Sequence, residues 1–404
     1  MFSFKGFFTQ DKNTHLEHLE DDIINRGSEG GRNAVNFLKA TRNMLAGRTS
    51  KGVNYTVKWD GAPAIICGVN PENGKFFVGT KSVFNKTPKI NYTVSDIRRN
   101  HGGVVADKLT VCLNELSKLK IKSILQGDLL FTNDKSSATI DGEDMITFTP
   151  NTITYAIPKN SNLGSKVARA KMGIVFHTTY TGKNMQSLTA GFGTVRGSGN
   201  SRVWLASASY KDTSGASTFN KSELAKFDAQ IRMAEGSLSK AKPILDELSK
   251  TSSDQLSVGF RLKSFFNFYI KGGNTSMGKV RVMQKQFRDY YQSILQAEID
   301  SRKTEKGKTK YKEAMKQGLS FIDKNNNALY FAIASHITLG ECKNTLVRKM
   351  NQIQSIGHFL RTGNGYKVTA PEGFVAVDKV AGAVKLVDRL EFSQANFTMP
   401  KGWS

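Results

Sequence analysis

The chain has 404 residues and carries 58 Lys+Arg against 34 Asp+Glu, a formal net charge of +24. This length buries a sizeable core and suits two or three domains, and the charge favours a polyanionic partner over a basic solubility surface or an anionic membrane surface. Cys67, Cys112 and Cys342 are too few and too scattered for a disulfide framework or a zinc site, and they fit a reducing compartment. The opening "MFSFKGFFTQDKN" lacks the long apolar region of a signal peptide. No stretch reaches the ~18 apolar residues of a membrane span. A soluble intracellular protein is expected.

Residues 14–47 read as helical. Thr14 is a candidate cap, the apolar spacing is three and four, and Gly27 and Gly47 are stops. From Val53 to about Tyr180 the period shifts towards two. "NYTVKWD", "AIICGV", "KFFVGT", "SILQGDLLF", "ITFTP", "TITYAI" and "MGIVFHTTY" are candidate strands, interrupted by one helix, "GGVVADKLTVCLNELSKL". Residues 196–218, rich in Gly, Ser and Thr, read as a linker or a long loop. Residues 219–361 have helical spacing and helix-favouring residues, with 25 Lys+Arg against 13 Asp+Glu, which is half the net charge. "GYKVTA", "GFVAVD" and "AVKLVDRLEF" return to strand patterning. A short terminal β segment does not fold alone. The order therefore predicts an α+β protein with a β-rich core from 1–218 and 362–404 and a basic helical domain inserted at 219–361.

The tetrad Lys58-Trp59-Asp60-Gly61 closes the first candidate strand. A lysine ammonium becomes a nucleophile when burial or nearby positive charge lowers its pKa, and Gly61 lets backbone approach a ligand closely. Lys-x-Asp-Gly arises by chance in roughly one in ten chains of this length, so alone it does not outweigh a solvated turn. Its company does. Thr80-Lys81 follows another strand, and Gly127-Asp128 interrupts an apolar one, where a carboxylate needs a metal or a hydroxyl partner. Phe176 offers a stacking ring. Glu372-Gly373 opens a late strand, and Lys385 follows thirteen residues later.

This ordered set resembles the covalent nucleotidyltransferase superfamily of polynucleotide ligases and capping enzymes. Lys58, Asp60 and Gly61 look like motif I, whose lysine takes AMP from ATP. Thr80-Lys81 is similar to motif Ia. Gly127-Asp128 resembles motif III, which contacts ribose or metal. Phe176 matches the adenine-stacking aromatic of motif IIIa. Glu372-Gly373 looks like motif IV and its metal-binding acid, and Lys385 like the first lysine of motif V, which contacts the α-phosphate. The whole chain also resembles ligase-like proteins of T4-like phages that carry the same "VKWDGAPA" wording.

The resemblance spans roughly residues 53–180 and 366–390. It implies a core of antiparallel, ATP-grasp-like sheets and a catalytic Lys58 assisted by Lys385. It also implies nucleotide contacts from Asp60, Gly61, Lys81, Asp128 and Phe176, and Mg²⁺ held by Asp128 and Glu372. The activity implied is ATP-dependent joining of 5′-phosphate and 3′-hydroxyl ends by a monomer in the cytoplasm of an infected bacterium. RNA ends come first, because fifteen residues after Arg389 leave no room for the OB-fold of DNA ligases. DNA nick sealing and a non-catalytic nucleic-acid-binding protein are the alternatives.

There are departures from the pattern. Pro63 stands where DNA ligases have Arg, and Asp128 where Glu is usual. His177 follows Phe176 where an acid is common. Val387 takes the place of the second motif V lysine, leaving Lys379 or Arg389 to supply that charge.

Overall fold

The computed structural model describes residues 17–46, 53–192, 199–206, 218–274, 276–352, 357–362, 365–368, 373–378, 382–387 and 389–390. In chain order, a 3₁₀ turn leads into α1 (Asp22–Leu45), followed by β1 (Val53–Lys58), β2 (Ala64–Val69) and β3 (Phe76–Gly79). Next come α2 (Val94–Asn100), α3 (Gly103–Leu116), β4 (Ile124–Phe131), β5 (Ser136–Ile140), β6 (Glu143–Phe148) and β7 (Ile153–Pro158). Then follow α4 (Asn162–Arg169), β8 (Met172–Thr181), β9 (Thr189–Phe192) and β10 (Val203–Leu205). The helices α5 (Lys221–Lys250), α6 (Val258–Lys271), α7 (Val280–Ser301), α8 (Glu305–Lys324) and α9 (Asn326–Met350) form one run. The described chain closes with β11 (Gly357–Thr362), β12 (Gly365–Val368), β13 (Gly373–Asp378) and β14 (Gly382–Leu386). The protein is thus mixed α and β. Among the described residues no helix is long and apolar enough to cross a membrane.

The strands form three sheets. One runs β10-β8-β4-β2-β3 with β9 on β8, a second runs β12-β11-β7-β6-β5, and a third is β1-β13-β14. All described pairings are antiparallel except β10 on β8. Side chains alternate across a strand, so each sheet has two faces with different duties. On the six-stranded sheet, Ile65, Leu129, Ile174 and Phe176 pack against Leu109 and Leu116 of α3. The opposite face meets the five-stranded sheet through an aromatic core that includes Trp59, Phe131, Phe148 and Tyr155. The small sheet turns Phe374 and Leu386 towards the helices.

The boundaries differ from those the sequence predicts. Helix α1, assigned from patterning to the β-rich core, packs instead into the helical one. Ile23, Phe37 and Leu38 share a cluster with Phe227, Leu245 and Leu346. Arg42 donates to both carboxylate oxygens of Asp228, at 2.8 and 2.6 Å. At Gly27, with φ of +60°, α1 kinks, and the new helical start at Ser28 donates its N–H to Asp246 at 2.7 Å. That φ suits glycine, and the kink turns the apolar stripe onto α5. At the other end, β11 starts at Gly357, inside the range read as helical, because it pairs with β7 and β12. Most of the proposed 196–218 linker lies outside the described residues, but Val203–Leu205 within it is strand β10.

A buried ionic knot joins the two bodies. Glu20 accepts from Lys343 Nζ at 2.6 and 2.8 Å, and Asp21 accepts from Arg389 at 2.9 Å and pairs with His336 at 2.9 Å. All five side chains are buried. His336 stacks on Phe266, with ring centroids 3.6 Å apart.

Candidate active site

The tetrad touches all three sheets. Lys58 ends β1 opposite Gly373 of β13. Asp60 reaches the five-stranded sheet: Oδ2 accepts from the N–H groups of Thr152 and Ile153 at 2.7 and 2.8 Å, and Oδ1 accepts from Asn151 Nδ2 at 2.7 Å. The Asp60 N–H donates to Tyr155 Oη at 2.6 Å. Gly61 lies on the six-stranded sheet, where a Cβ would stand 2.5 Å from Asp128 Cβ and 2.9 Å from the Leu129 carbonyl. Only glycine permits that approach. The next two residues complete the anchorage, since Ala62 N–H donates to Leu129 O at 2.9 Å and Leu129 N–H donates to Pro63 O at 3.2 Å. The Ala62–Pro63 peptide is cis.

Three separate segments therefore bring Lys58, Lys81 and Asp128 together. Lys81 opens the 3₁₀ helix Lys81–Phe84, capped by Thr80 Oγ1, which accepts from the Ser82 N–H at 3.3 Å. Asp128 sits on β4 opposite Ala64 and Val175. Burial pushes the Asp128 carboxyl up, but His177, Lys58 and Lys81 pull harder and hold it below the usual carboxylate range. Burial lowers the Lys81 ammonium, Asp128 opposes that and Lys58 adds to it, leaving it below the usual lysine range. The site is a carboxylate locked ionised between two amines, one of them partly desolvated.

Lys385 stands on β14 opposite Val375, and Val375 lies opposite Thr56 of β1. The period of two puts Lys58 and Lys385 on the same face of the small sheet, with β13 between them. The opposite face carries Val57, Phe374 and Leu386 into the helical core. Lys385 N–H also donates to Glu17 O at 3.1 Å, so the segment before α1 fixes the backbone at this lysine. Gly373, with φ of +140°, has a Cβ position only 2.3 Å from the Leu386 carbonyl. Close seating of the β13–β14 ladder beside Lys58 requires glycine there.

Not every predicted site residue reaches this cluster. Phe176 is buried on the opposite face of the six-stranded sheet from Asp128, packed with Ile65, Leu129 and the apolar face of α3. The expected stacking ring is thus a core residue. Arg389, one of two candidates for the missing motif V charge, is consumed by Asp21 and by Glu20, 3.7 Å away. The other candidate, Lys379, and the expected metal ligand Glu372 lie outside the described residues. Asp60 has both oxygens engaged by the 151–153 turn, so it positions the tetrad.

His177, which follows Phe176 where the resembled family commonly has an acid, belongs to this site. In the β4–β8 ladder Gln126 pairs with Thr178 and Gly127 pairs with Phe176, which leaves His177 as the extra residue of a β-bulge. Bulges re-aim a side chain. Here the imidazole Nε2 comes 3.5 Å from Asp128 Oδ2, with Nδ1 2.8 Å from Thr178 Oγ1. Alternation from Val175, opposite Asp128, already assigns His177 to this face, but nothing in the sequence marks the bulge.

No curated protein and no solved structure matches the chain. Its residues 13–401 match the family described as a family of unknown function (DUF6267), and the chain belongs to that family.

Proposed function

We propose that the protein is a covalent nucleotidyltransferase that joins polynucleotide ends through a lysyl-AMP intermediate. The observation that carries this reading is the convergence of Lys58, Lys81 and Asp128, from three segments, on a tetrad tied to three sheets. The Lys58 amine attacks the α-phosphorus of ATP, an N–P bond forms, and the bond to pyrophosphate breaks. AMP then passes to a 5′-phosphate, and a 3′-hydroxyl displaces it to seal the strand. Each step moves charge between phosphate oxygens, so alignment and fixed cations lower the barrier. Lys81 supplies one such cation beside the nucleophile, and Lys385, on the same sheet face as Lys58, supplies a second.

Mg²⁺ fits this donor set. It takes one or two carboxylates and completes its shell with water and substrate phosphates, and Asp128 offers an ionised carboxylate within the cluster. Among the described residues no group of three His, Cys, Asp or Glu side chains surrounds a common point, so the nucleotide's own oxygens are needed. When bound, the ion neutralises phosphate charge. The net charge of +24 supports a nucleic-acid substrate. A second reading, a binding protein on a ligase-like scaffold, is favoured by the loss of Arg389 to the ionic knot.

The test is transfer of label from α-³²P-ATP to the protein, then to 5′-phosphorylated RNA and DNA, single-stranded and nicked. Label on protein and in sealed product is expected. Tight polynucleotide binding without label would leave the binding protein as the correct reading, and the substrate panel separates RNA from DNA joining.

A further inference from the structure

We infer that Asp128 and His177 form a mixed carboxylate–imidazole pair that favours a first-row transition cation, Mn²⁺ before Mg²⁺, when nucleotide is bound. The inference rests on the proposed nucleotidyl transfer and names the metal class of that site. Four observations carry it.

Val175 lies opposite Asp128, so His177, two residues on, falls on the same face of the sheet, and the bulge at that point leaves it without a cross-strand partner of its own. The Nε2–Oδ2 separation of 3.5 Å is longer than a well-formed hydrogen bond. A shift of about half an ångström brings the two atoms to the roughly 3 Å spacing of adjacent donors in an octahedral shell. The other ring nitrogen is engaged by Thr178 Oγ1 at 2.8 Å, and such an outer contact orients the ring of a metal-binding histidine, here with Nε2 towards Asp128. Both side chains are partly open, at 29% for His177 and 19% for Asp128, so an ion and its phosphate and water ligands have access.

Ligand chemistry then sets the preference. Mg²⁺ is hard and favours oxygen, whereas an imidazole nitrogen raises affinity for first-row transition ions. Mn²⁺ accepts carboxylate, phosphate and imidazole together. Lys58 and Lys81 stand beside the Asp128 carboxylate and repel a cation, so the ion is expected to enter with the nucleotide's negative charge and to bind weakly without it.

The experiment uses the full chain with α,β-methylene-ATP, which blocks transfer to Lys58. Mn²⁺ and Mg²⁺ affinities are measured by calorimetry, and bound Mn²⁺ is examined by electron spin-echo spectroscopy for coupling to an imidazole ¹⁴N. The wild type is expected to show that coupling. His177→Asp, which restores an all-oxygen set, and His177→Ala are expected to lose it, and the Mn²⁺:Mg²⁺ affinity ratio should fall about ten- to a hundredfold. Tightly bound Mn²⁺ without ¹⁴N coupling, or an unchanged ratio in both variants, overturns the inference. Parallel labelling of wild type with ATP separates the two claims. Label on Lys58 without ¹⁴N coupling sinks the cation assignment alone. The coupling without label sustains the cation site and sinks the transfer reaction.

Discussion

Replacing Asp60 tests how the tetrad is held. Asp60 is 4% exposed, and its Oδ2 is the acceptor for two adjacent backbone N–H groups, those of Thr152 and Ile153. Asp60→Ala leaves both donors without that acceptor and removes the oxygen to which Asn151 Nδ2 donates. A buried donor stripped of its partner costs about 1–3 kcal/mol, so the two backbone groups set a loss of about 4 kcal/mol. With a urea slope of about 3 kcal/mol/M, that shifts the unfolding midpoint down by about 1.3 M. Asp60→Asn is the internal control. Its amide oxygen still serves both N–H groups, and a flipped Asn151 amide accepts from its nitrogen. Only the charge-assisted part is lost, about 1–2 kcal/mol. The assay is urea unfolding followed by both tryptophan fluorescence and circular dichroism. Equal losses for Ala and Asn, or a loss below about 1 kcal/mol for Ala, would refute the view that two buried N–H groups make Asp60 a strut.

The remaining expectations address packing, ion pairing and pH. Gly61→Ala forces a methyl against Asp128 Cβ. Labelling by ATP should fall on the order of a hundredfold through misplacement of the site, with helical circular dichroism retained, and near-normal labelling would mean the contact is slack. Lys343→Met strips Glu20 of its bidentate partner and should cost about 3–5 kcal/mol by urea unfolding, whereas Glu20→Leu with Lys343→Met should cost much less; equal losses would show that Arg389 alone satisfies Glu20. Burial, aided by neighbouring cations at His18 and opposed by Asp21 and Glu20 at His336, lowers both histidines. The unfolded chain then binds protons first as pH falls below about 6.5, and stability should drop there. Burial lifts the Asp22 carboxyl to about 6, so its proton uptake on folding opposes that loss below pH 6. Asp22→Asn should steepen the decline between pH 6 and 5, and an unchanged slope in unfolding titrations would contradict this assignment.

Strand patterning was legible because period two over apolar runs reports burial directly. The runs at Ala64–Val69, Ile124–Phe131 and Met172–Thr181 are β2, β4 and β8. Partnership between distant segments was not legible. The sequence marks α1 as amphipathic, but α5 and α9 lie about two hundred and three hundred residues away, and nothing local says which body it joins. The motif order implied by the resemblance makes Phe176 a site ring, although its face is set by pairing with Gly127. The bulge after Phe176 then puts Thr178, opposite Gln126, on the face that strict alternation from Phe176 denies it. Arg389 shows the same limit, because its capture by Asp21 spans nearly the whole chain. The tetrad itself was legible in composition, while its physical basis, Asp60 bonded to the 151–153 turn and Gly61 laid on Asp128, needed the fold.

The central claim is a covalent bond between Lys58 and AMP. The direct measurement is intact-protein and peptide mass spectrometry after incubation with ATP and either Mg²⁺ or Mn²⁺. One AMP per chain is expected, on the peptide containing Lys58, stable to base, labile to acidic hydroxylamine and missing from Lys58→Ala. An adduct at another residue, or an unmodified wild type under conditions where ATP binding is saturated, would contradict the account.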